Sequence, residues 1–158
     1  MKTRKPQASK PKKTKKPRVA ILQSRFNPKV TDGLVKGAKG YLAEHEIPFE
    51  DSKQLFHSPG AFEMPLIAQK LARSKKFDVV VCLGCVIKGE TAHFEFISLG
   101  TAVGIQQASL STGVPITFGV LTAYTEAQAE VRSAYDSHNK GIEAAAAGVE
   151  AWLEMSRI

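Results

Sequence analysis

The sequence predicts an α/β fold: a three-layer αβα sandwich with a four-stranded parallel sheet. Three observations carry this. Phe77 to Leu83 (FDVVVCL) is a short, valine-rich, unbroken apolar run, the pattern of a strand buried on both faces. Strand patterns alternate along the chain with amphipathic helical ones, in the order β-α-β-α-β-α-β-α-α, which argues for parallel pairing with helices on both faces. The chemically richest stretches, SRFN, SPGAFE and CVIKGETAH, all directly follow strand patterns. Parallel sheets hold their ligands beyond those carboxyl ends.

Met1 to Pro17 (MKTRKPQASKPKKTKKP) has lysine, proline and almost nothing apolar. It cannot bury enough surface to order itself, so residues 1–17 are expected to form a disordered basic tail ahead of one domain at 18–158. Residues 1–18 hold nine of the 22 basic residues and no acid; the remaining 13 face 15 acidic residues, so the body carries −2. The tail has no aromatic residues for stacking on bases, which speaks against a nucleic-acid partner. It also has no apolar segment behind its charges, unlike a secretory signal, and no apolar run is long enough for a membrane span.

Arg18 to Gln23 (RVAILQ) is the first strand, and Ser24-Arg25-Phe26-Asn27-Pro28 follows it. Phe26 is either an exposed platform for a planar ligand or a core residue. Thr31 is placed as the N-cap of the next helix, whose apolar stripe is Leu34, Ala38, Tyr41 and Leu42. Phe49 to Phe56 reads as a more polar, edge-like strand. It leads to a Pro-Gly turn, to Glu63, and to a helix with Pro65 in its first turn and Leu66, Ile67, Lys70 and Leu71 along it.

After the third strand comes Gly84-Cys85-Val86-Ile87-Lys88-Gly89-Glu90-Thr91-Ala92-His93, and then helical spacing at Phe94, Ile97, Thr101, Ile105 and Ala108. The unpaired N–H groups of a helix start suit an anion. Gly89 allows close approach, Thr91 adds a hydroxyl, and His93 can carry protons nearby. Alone, this segment better suits an ordinary strand–loop–helix junction with a surface histidine. Pro115 to Leu121 (PITFGVL) is the fourth strand, with Phe118 expected in the core. Thr125-Glu126-Ala127-Gln128 is a capping box opening a helix that bears Arg132. A final helix is expected to bury Ile142, Ala145, Ala146, Val149 and Leu153. Cys82 and Cys85 form a CxxC on paper, but the first lies within a buried run, so both are expected to be reduced packing residues.

Taken together, the motifs resemble the lumazine synthases of riboflavin biosynthesis, a flavodoxin-like family. The likeness rests on SRFN at 24–27, PGAFEMP at 59–65, GCVIKGETAH at 84–93, GVPITFGVLT at 113–122 and R-x7-K-G at 132–141, and spans about residues 18–157. It implies condensation of 5-amino-6-(D-ribitylamino)uracil with 3,4-dihydroxy-2-butanone 4-phosphate to 6,7-dimethyl-8-ribityllumazine, phosphate and water, without metal or organic cofactor. It implies that Phe26 stacks on the pyrimidine, that Ala61, Phe62 and Glu63 hold the ribityl chain, and that Cys85, Val86 and Ile87 meet the ring through main-chain atoms. Glu90, Thr91 and Arg132 then take the phosphate, His93 relays protons, and Phe118 and Lys140 close over the ring.

The resemblance further implies a homopentamer with sites shared between neighbours, in some members assembled into an icosahedral shell, and an association with riboflavin synthase; the reduced cysteines add the expectation of a cytoplasmic protein. In that arrangement Phe118, Arg132 and Lys140 come from the adjacent chain. The alternative is a non-catalytic flavin- or lumazine-binding protein of the same fold. One stretch departs from the family's R-A-G-x-K-x-G-N-K-G pattern: Asp136 stands at its first lysine, and Ala134 and His138 at its inner glycines.

Overall fold

The computed structural model describes residues 14–158. Most of the basic tail therefore lies outside the described residues. Its last part, 14–17, has no regular secondary structure, but Pro17 is buried and the Lys16 ammonium donates to His45 O at 3.0 Å.

Four parallel strands form one sheet in the order β2-β1-β3-β4: β1 (Val19–Ser24), β2 (Leu55–Ser58), β3 (Val79–Ile87) and β4 (Ile116–Ala123). Every residue of β1 is buried, as expected of a central strand covered on both faces. Side chains alternate along each strand, so the sheet serves two cores. Val19, Ile21, Val79, Val81 and Leu83 pack beneath α1 (Pro28–Glu44), α5 (Glu126–Ser133) and α6 (Lys140–Met155). Ala20, Leu22, Val80 and Cys82 pack against α3 (Met64–Arg73) and α4 (His93–Thr112). The expected three-layer α/β sandwich is present. Cys82 and Cys85, an odd number of residues apart, enter opposite cores and are free thiols.

Several boundaries differ from expectation. Helix α1 starts at Pro28, whose fixed φ suits a first helical turn, and Asn27 precedes it with φ 53°. Thr31 is therefore inside the helix and buried, accepting a hydrogen bond from the Gln23 amide at 3.1 Å. Strand β2 has only four residues, because Asp51–Gln54 forms a helical turn, α2, instead. Local polar bonds favour that turn: Glu50 N donates to Gln54 Oε1 at 2.7 Å and Ser52 Oγ to Glu50 Oε1 at 2.9 Å. In α3 the buried row is Met64, Ala68 and Ala72, while Leu66 is exposed. In α6 the buried residues are Gly141, Ala144, Ala145, Gly148 and Val149, and Leu153 is exposed. The small residues let this helix sit close to the sheet; a Cβ on Gly148 would come within 2.6 Å of Val79 Cγ1. The Thr125 cap is present, its side chain accepting from Gln128 N at 3.2 Å. Gln128 Oε1 returns to Tyr124 N at 2.9 Å, one residue before the usual box.

Arg18 and Asp78 tie the start of β1 to the start of β3. Asp78 Oδ2 accepts from Arg18 N at 2.8 Å and from its Nε at 3.1 Å, and Oδ1 accepts from Nη2 at 3.1 Å. Burial pushes the Asp78 carboxyl up, but the Arg18 bonds and charge outweigh it and hold the group below its ordinary value. A carboxyl lowered by folding stabilises the chain above its unfolded value, about 3.9, and loses that contribution as pH falls through the folded value. Asp78→Asn is thus expected to lower the melting temperature at pH 7 and to flatten its decline on acidification. A parent-like curve of melting temperature against pH would contradict this.

Candidate active site

With the order β2-β1-β3-β4, consecutive connections leave β1 and β3 in opposite directions, so a crevice opens at their carboxyl ends. Three loops meet there, after Ser24, Ser58 and Ile87. Arg25 N extends the β1–β2 ladder to Ser58 O at 3.0 Å. The left-handed turn at Asn27 then diverts the chain into α1, and Phe26 is left 66 % exposed. Of its two sequence readings, the exposed platform is the one observed.

Phe26 lies beside the Pro-Gly turn, which Ser58 Oγ fixes by donating to Gly60 O at 2.6 Å. A Cβ on Gly60 would come within 3.3 Å of Phe26 Cε2 and 2.9 Å of Glu63 Oε2. The aromatic ring and the carboxylate therefore flank one bare glycine. Glu63 makes no side-chain cap to α3 and remains exposed. Ala61 is buried, its C=O accepting from Met64 N at 3.1 Å. Phe62 is 59 % exposed and lies across Gly100 of α4, two helical turns from His93 on the same side of that helix.

Main-chain groups alternate in direction along β3. Val80 N donates to Pro115 O at 3.0 Å and Lys88 N to Ala123 O at 2.9 Å, towards β4, whereas Val79 N turns towards Arg18 O at 3.3 Å. By this alternation Cys85 and Ile87 present their N–H and C=O groups to the β1 side. The last β1–β3 pair is Gln23 with Leu83, so these groups extend past the paired part of β1. Asn27 Nδ2 donates to Cys85 O at 3.1 Å. Burial pushes the Cys85 thiol up to about 11 and the Cys82 thiol up to about 12, so both are neutral near pH 7. Val86 and Ile87 are half-buried.

Lys88, Gly89, Glu90, Thr91 and His93 are all exposed. Thr91 Oγ1 accepts from His93 N at 3.3 Å, a local turn that leads into α4. A Cβ on Gly89 would meet nothing within 4 Å, so a ligand can approach this backbone closely. The helix start therefore offers N–H groups at an open surface, an arrangement that accepts an anion. Tyr124 completes the loop's surroundings, its ring 5.6 Å from the Lys88 ammonium and 6.0 Å from the Phe94 ring. Tyr124 lies outside the strand–loop motifs, so no local pattern in the sequence marks it.

Phe118, Arg132 and Lys140 lie elsewhere, lining a cleft of about 360 Å³ along β4 and α6. Phe118 is 44 % exposed, not core, because β4 is the last strand of the sheet and no further strand covers it. It pairs with Cys82, five residues before the end of β4, about 16 Å below the rim by strand rise. The cleft contains none of Phe26, Glu63 and His93, and Phe118 is thus set well below the rim.

Asn139 holds the two cationic residues in place. It is 2 % exposed. Its Nδ2 donates to Gly33 O at 3.0 Å, Ser133 O at 3.1 Å and Ala134 O at 2.9 Å. Its Oδ1 accepts from Gly141 N at 2.8 Å and Ile142 N at 3.2 Å, capping α6. In the divergent stretch, Asp136 Oδ1 accepts from His138 N at 2.8 Å, so this carboxylate closes its own turn. A larger cleft, about 1200 Å³, lies beside β2 and α3 around Phe56, Leu66, Leu71 and Phe77, and contains none of these residues.

The family model for 6,7-dimethyl-8-ribityllumazine synthase matches residues 16–156. The 6,7-dimethyl-8-ribityllumazine synthase 1 of Caulobacter vibrioides (strain ATCC 19089 / CIP 103742 / CB 15) is 55 % identical over 142 residues, covering 90 % of this chain and 92 % of that protein. The 6,7-dimethyl-8-ribityllumazine synthase of Deinococcus deserti (strain DSM 17065 / CIP 109153 / LMG 22923 / VCD115) is 48 % identical over 133 residues, covering 83 % of each.

Proposed function

From the premise that the chain belongs to the 6,7-dimethyl-8-ribityllumazine synthase family, we propose how its residues divide the work of the reaction and how its copies complete the site. The chain is a transferase of riboflavin biosynthesis. It condenses 5-amino-6-(D-ribitylamino)uracil with 3,4-dihydroxy-2-butanone 4-phosphate, giving 6,7-dimethyl-8-ribityllumazine, phosphate and water.

The observation that carries the division of roles is the exposed Phe26 ring beside Glu63 over Gly60. Phe26 stacks on the pyrimidine. The Glu63 carboxylate and the backbone around Ala61 and Phe62 accept the ribityl hydroxyls. The main-chain groups of Cys85, Val86 and Ile87 meet the polar edge of the ring, a role supported by the β1-side direction of those of Cys85 and Ile87. The backbone at Glu90 and Thr91, with the Thr91 hydroxyl, receives the phosphate at the start of α4. His93, the first residue of that helix, moves protons as the Schiff base forms and phosphate leaves.

Phe118, Arg132 and Lys140 come from a neighbouring copy in a cytoplasmic homopentamer and close the same pocket. The depth of Phe118 below the rim of its own sheet supports this, as does the apolar α4 row Phe96, Leu99, Val103 and Leu110, exposed in the single chain. Pentamers either stand alone or join as a shell of twelve, to which riboflavin synthase can attach. The two assemblies separate by sedimentation velocity, and a monomer at micromolar concentration would refute the shared pocket.

The aromatic amine is already nucleophilic, so catalysis is mainly the gathering and shielding of two reactants. His93→Ala is therefore expected to slow turnover by only about 10- to 100-fold. Absorbance recording of lumazine formation tests both points. Absence of product from the parent chain refutes the activity, and a loss far beyond 1000-fold in His93→Ala, roughly a decade over that range, refutes the minor role of proton transfer.

A further inference from the structure

We infer that Asn27 is a positioning residue for the pyrimidine half of the pocket, coupling the stacking aromatic to the main-chain groups that meet the ring. This rests on the division of roles proposed above. Asn27 occupies the left-handed region at φ 53° and ψ 59°, which asparagine tolerates better than most residues. Pro28 follows and disfavours the right-handed helical conformation for the residue before it. The turn is thus set locally, and it is what leaves Phe26 facing outward.

The side chain then does something a turn residue need not do. It makes no cap to α1. It reaches 58 residues along the sequence to Cys85 O, at 3.1 Å. In the β1–β3 ladder, Cys85 C=O points towards β1, but the paired part of β1 has already ended at Gln23. The Asn27 amide supplies that missing rung. One residue therefore fixes Phe26, its neighbour in sequence, and Cys85, the first of the main-chain groups under the ring. The separation between platform and backbone is a distance that this one hydrogen bond spans. Nothing in the bond touches the start of α4, where the phosphate is received.

The discriminating variant is Asn27→Gly, because glycine keeps the positive φ and removes only the amide. Parent and variant are compared as assembled protein. Titration calorimetry measures binding of 6,7-dimethyl-8-ribityllumazine and, separately, of inorganic phosphate. Steady-state rates give KM for each substrate. The expected result is a pyrimidine KM and lumazine Kd raised about 10-fold, the size of one lost positioning bond. Phosphate affinity, KM for the butanone phosphate, sedimentation and melting temperature should stay close to the parent's. Asn27→Asp, which sets a carboxylate against the Cys85 carbonyl, should be at least as impaired. Unchanged lumazine affinity in Asn27→Gly overturns the inference, as does equal weakening of both ligands with a fall in melting temperature, the mark of a general structural role. The calorimetric comparison does not need turnover, so a parent that binds lumazine without forming it refutes the reaction and still tests Asn27.

Discussion

Arg132→Ala is expected to lower kcat/KM by about 100- to 1000-fold, more than any other single change at the pocket, with the loss mainly in a raised KM for the butanone phosphate. The substrate phosphate is close to a dianion, and a guanidinium binds it through two parallel charge-assisted hydrogen bonds. Removing one partner of such a desolvated pair costs about 2–5 kcal/mol, which spans that range. Arg132 is suited to the task. It sits in the last turn of α5, exposed, with one N–H donated to Gln128 O at 3.0 Å and no carboxylate in ion-pair contact among the described residues. Its charge is therefore available to a ligand. Arg132→Lys keeps the charge and loses the fork, so its loss should be intermediate. Steady-state kinetics with each substrate varied in turn decide the matter; an Arg132→Ala enzyme within a few-fold of the parent would remove Arg132 from the site.

Gly141→Ala has the largest expected effect on stability. A Cβ built on Gly141 falls on the carbonyl of Leu34, a main-chain atom inside α1 that cannot rotate away. Across the same contact a Cβ on Gly33 would meet Ser133 O, and one on Gly37 would meet the Asn139 side chain. Helix α1 and the α5–α6 turn are thus pressed together on three glycines, with Asn139 bridging them. Separating them would strain α1 or break the buried Asn139 bonds, so a loss of about 4 kcal/mol or more is expected. For a chain of this size that corresponds to a fall of roughly 8–16 °C in melting temperature, or to insoluble protein. Gly89→Ala is the control, since a Cβ there meets nothing within 4 Å, and its melting temperature should match the parent's. A Gly141→Ala chain that melts with the parent would show that the helices are not in this close contact. The same knot carries Arg132 and Lys140, so its distortion would also reach the cleft that these two residues line.

The sheet was legible because its central strands are buried on both faces. Val79, Val80 and Val81 admit no polar alternation, so β1 and β3 stand out as unbroken apolar runs. The three loops at the carboxyl ends were legible because they combine turn residues with chemistry that a core has no use for, such as Glu63 and His93. Elements with weaker burial were misplaced. Strand β2 is an edge, and its first residues gain more from the local bonds of Glu50, Ser52 and Gln54 than from the ladder. Periodicity placed Ala145 and Val149 in the buried face of α6 but favoured large apolar side chains for the rest, whereas close packing on the sheet adds Gly148 and Ala144 and leaves Leu153 outside. Phe118 looked like core for the same reason.

The sequence by itself determined the strand and helix order apart from the short α2, the parallel α/β class, the three loops that follow β1, β2 and β3, and membership of the family through its motifs. These are local patterns, set by burial periodicity and by turn chemistry within a few residues. The tertiary structure alone decided that Phe26 faces outward beside Glu63, that Asn27 reaches Cys85, that Asn139 joins three helices, and that Phe118, Arg132 and Lys140 line one cleft along β4 and α6. Each of these depends on a hydrogen bond, a glycine contact or a strand register between residues distant in sequence, and such pairings leave no periodic trace in the chain.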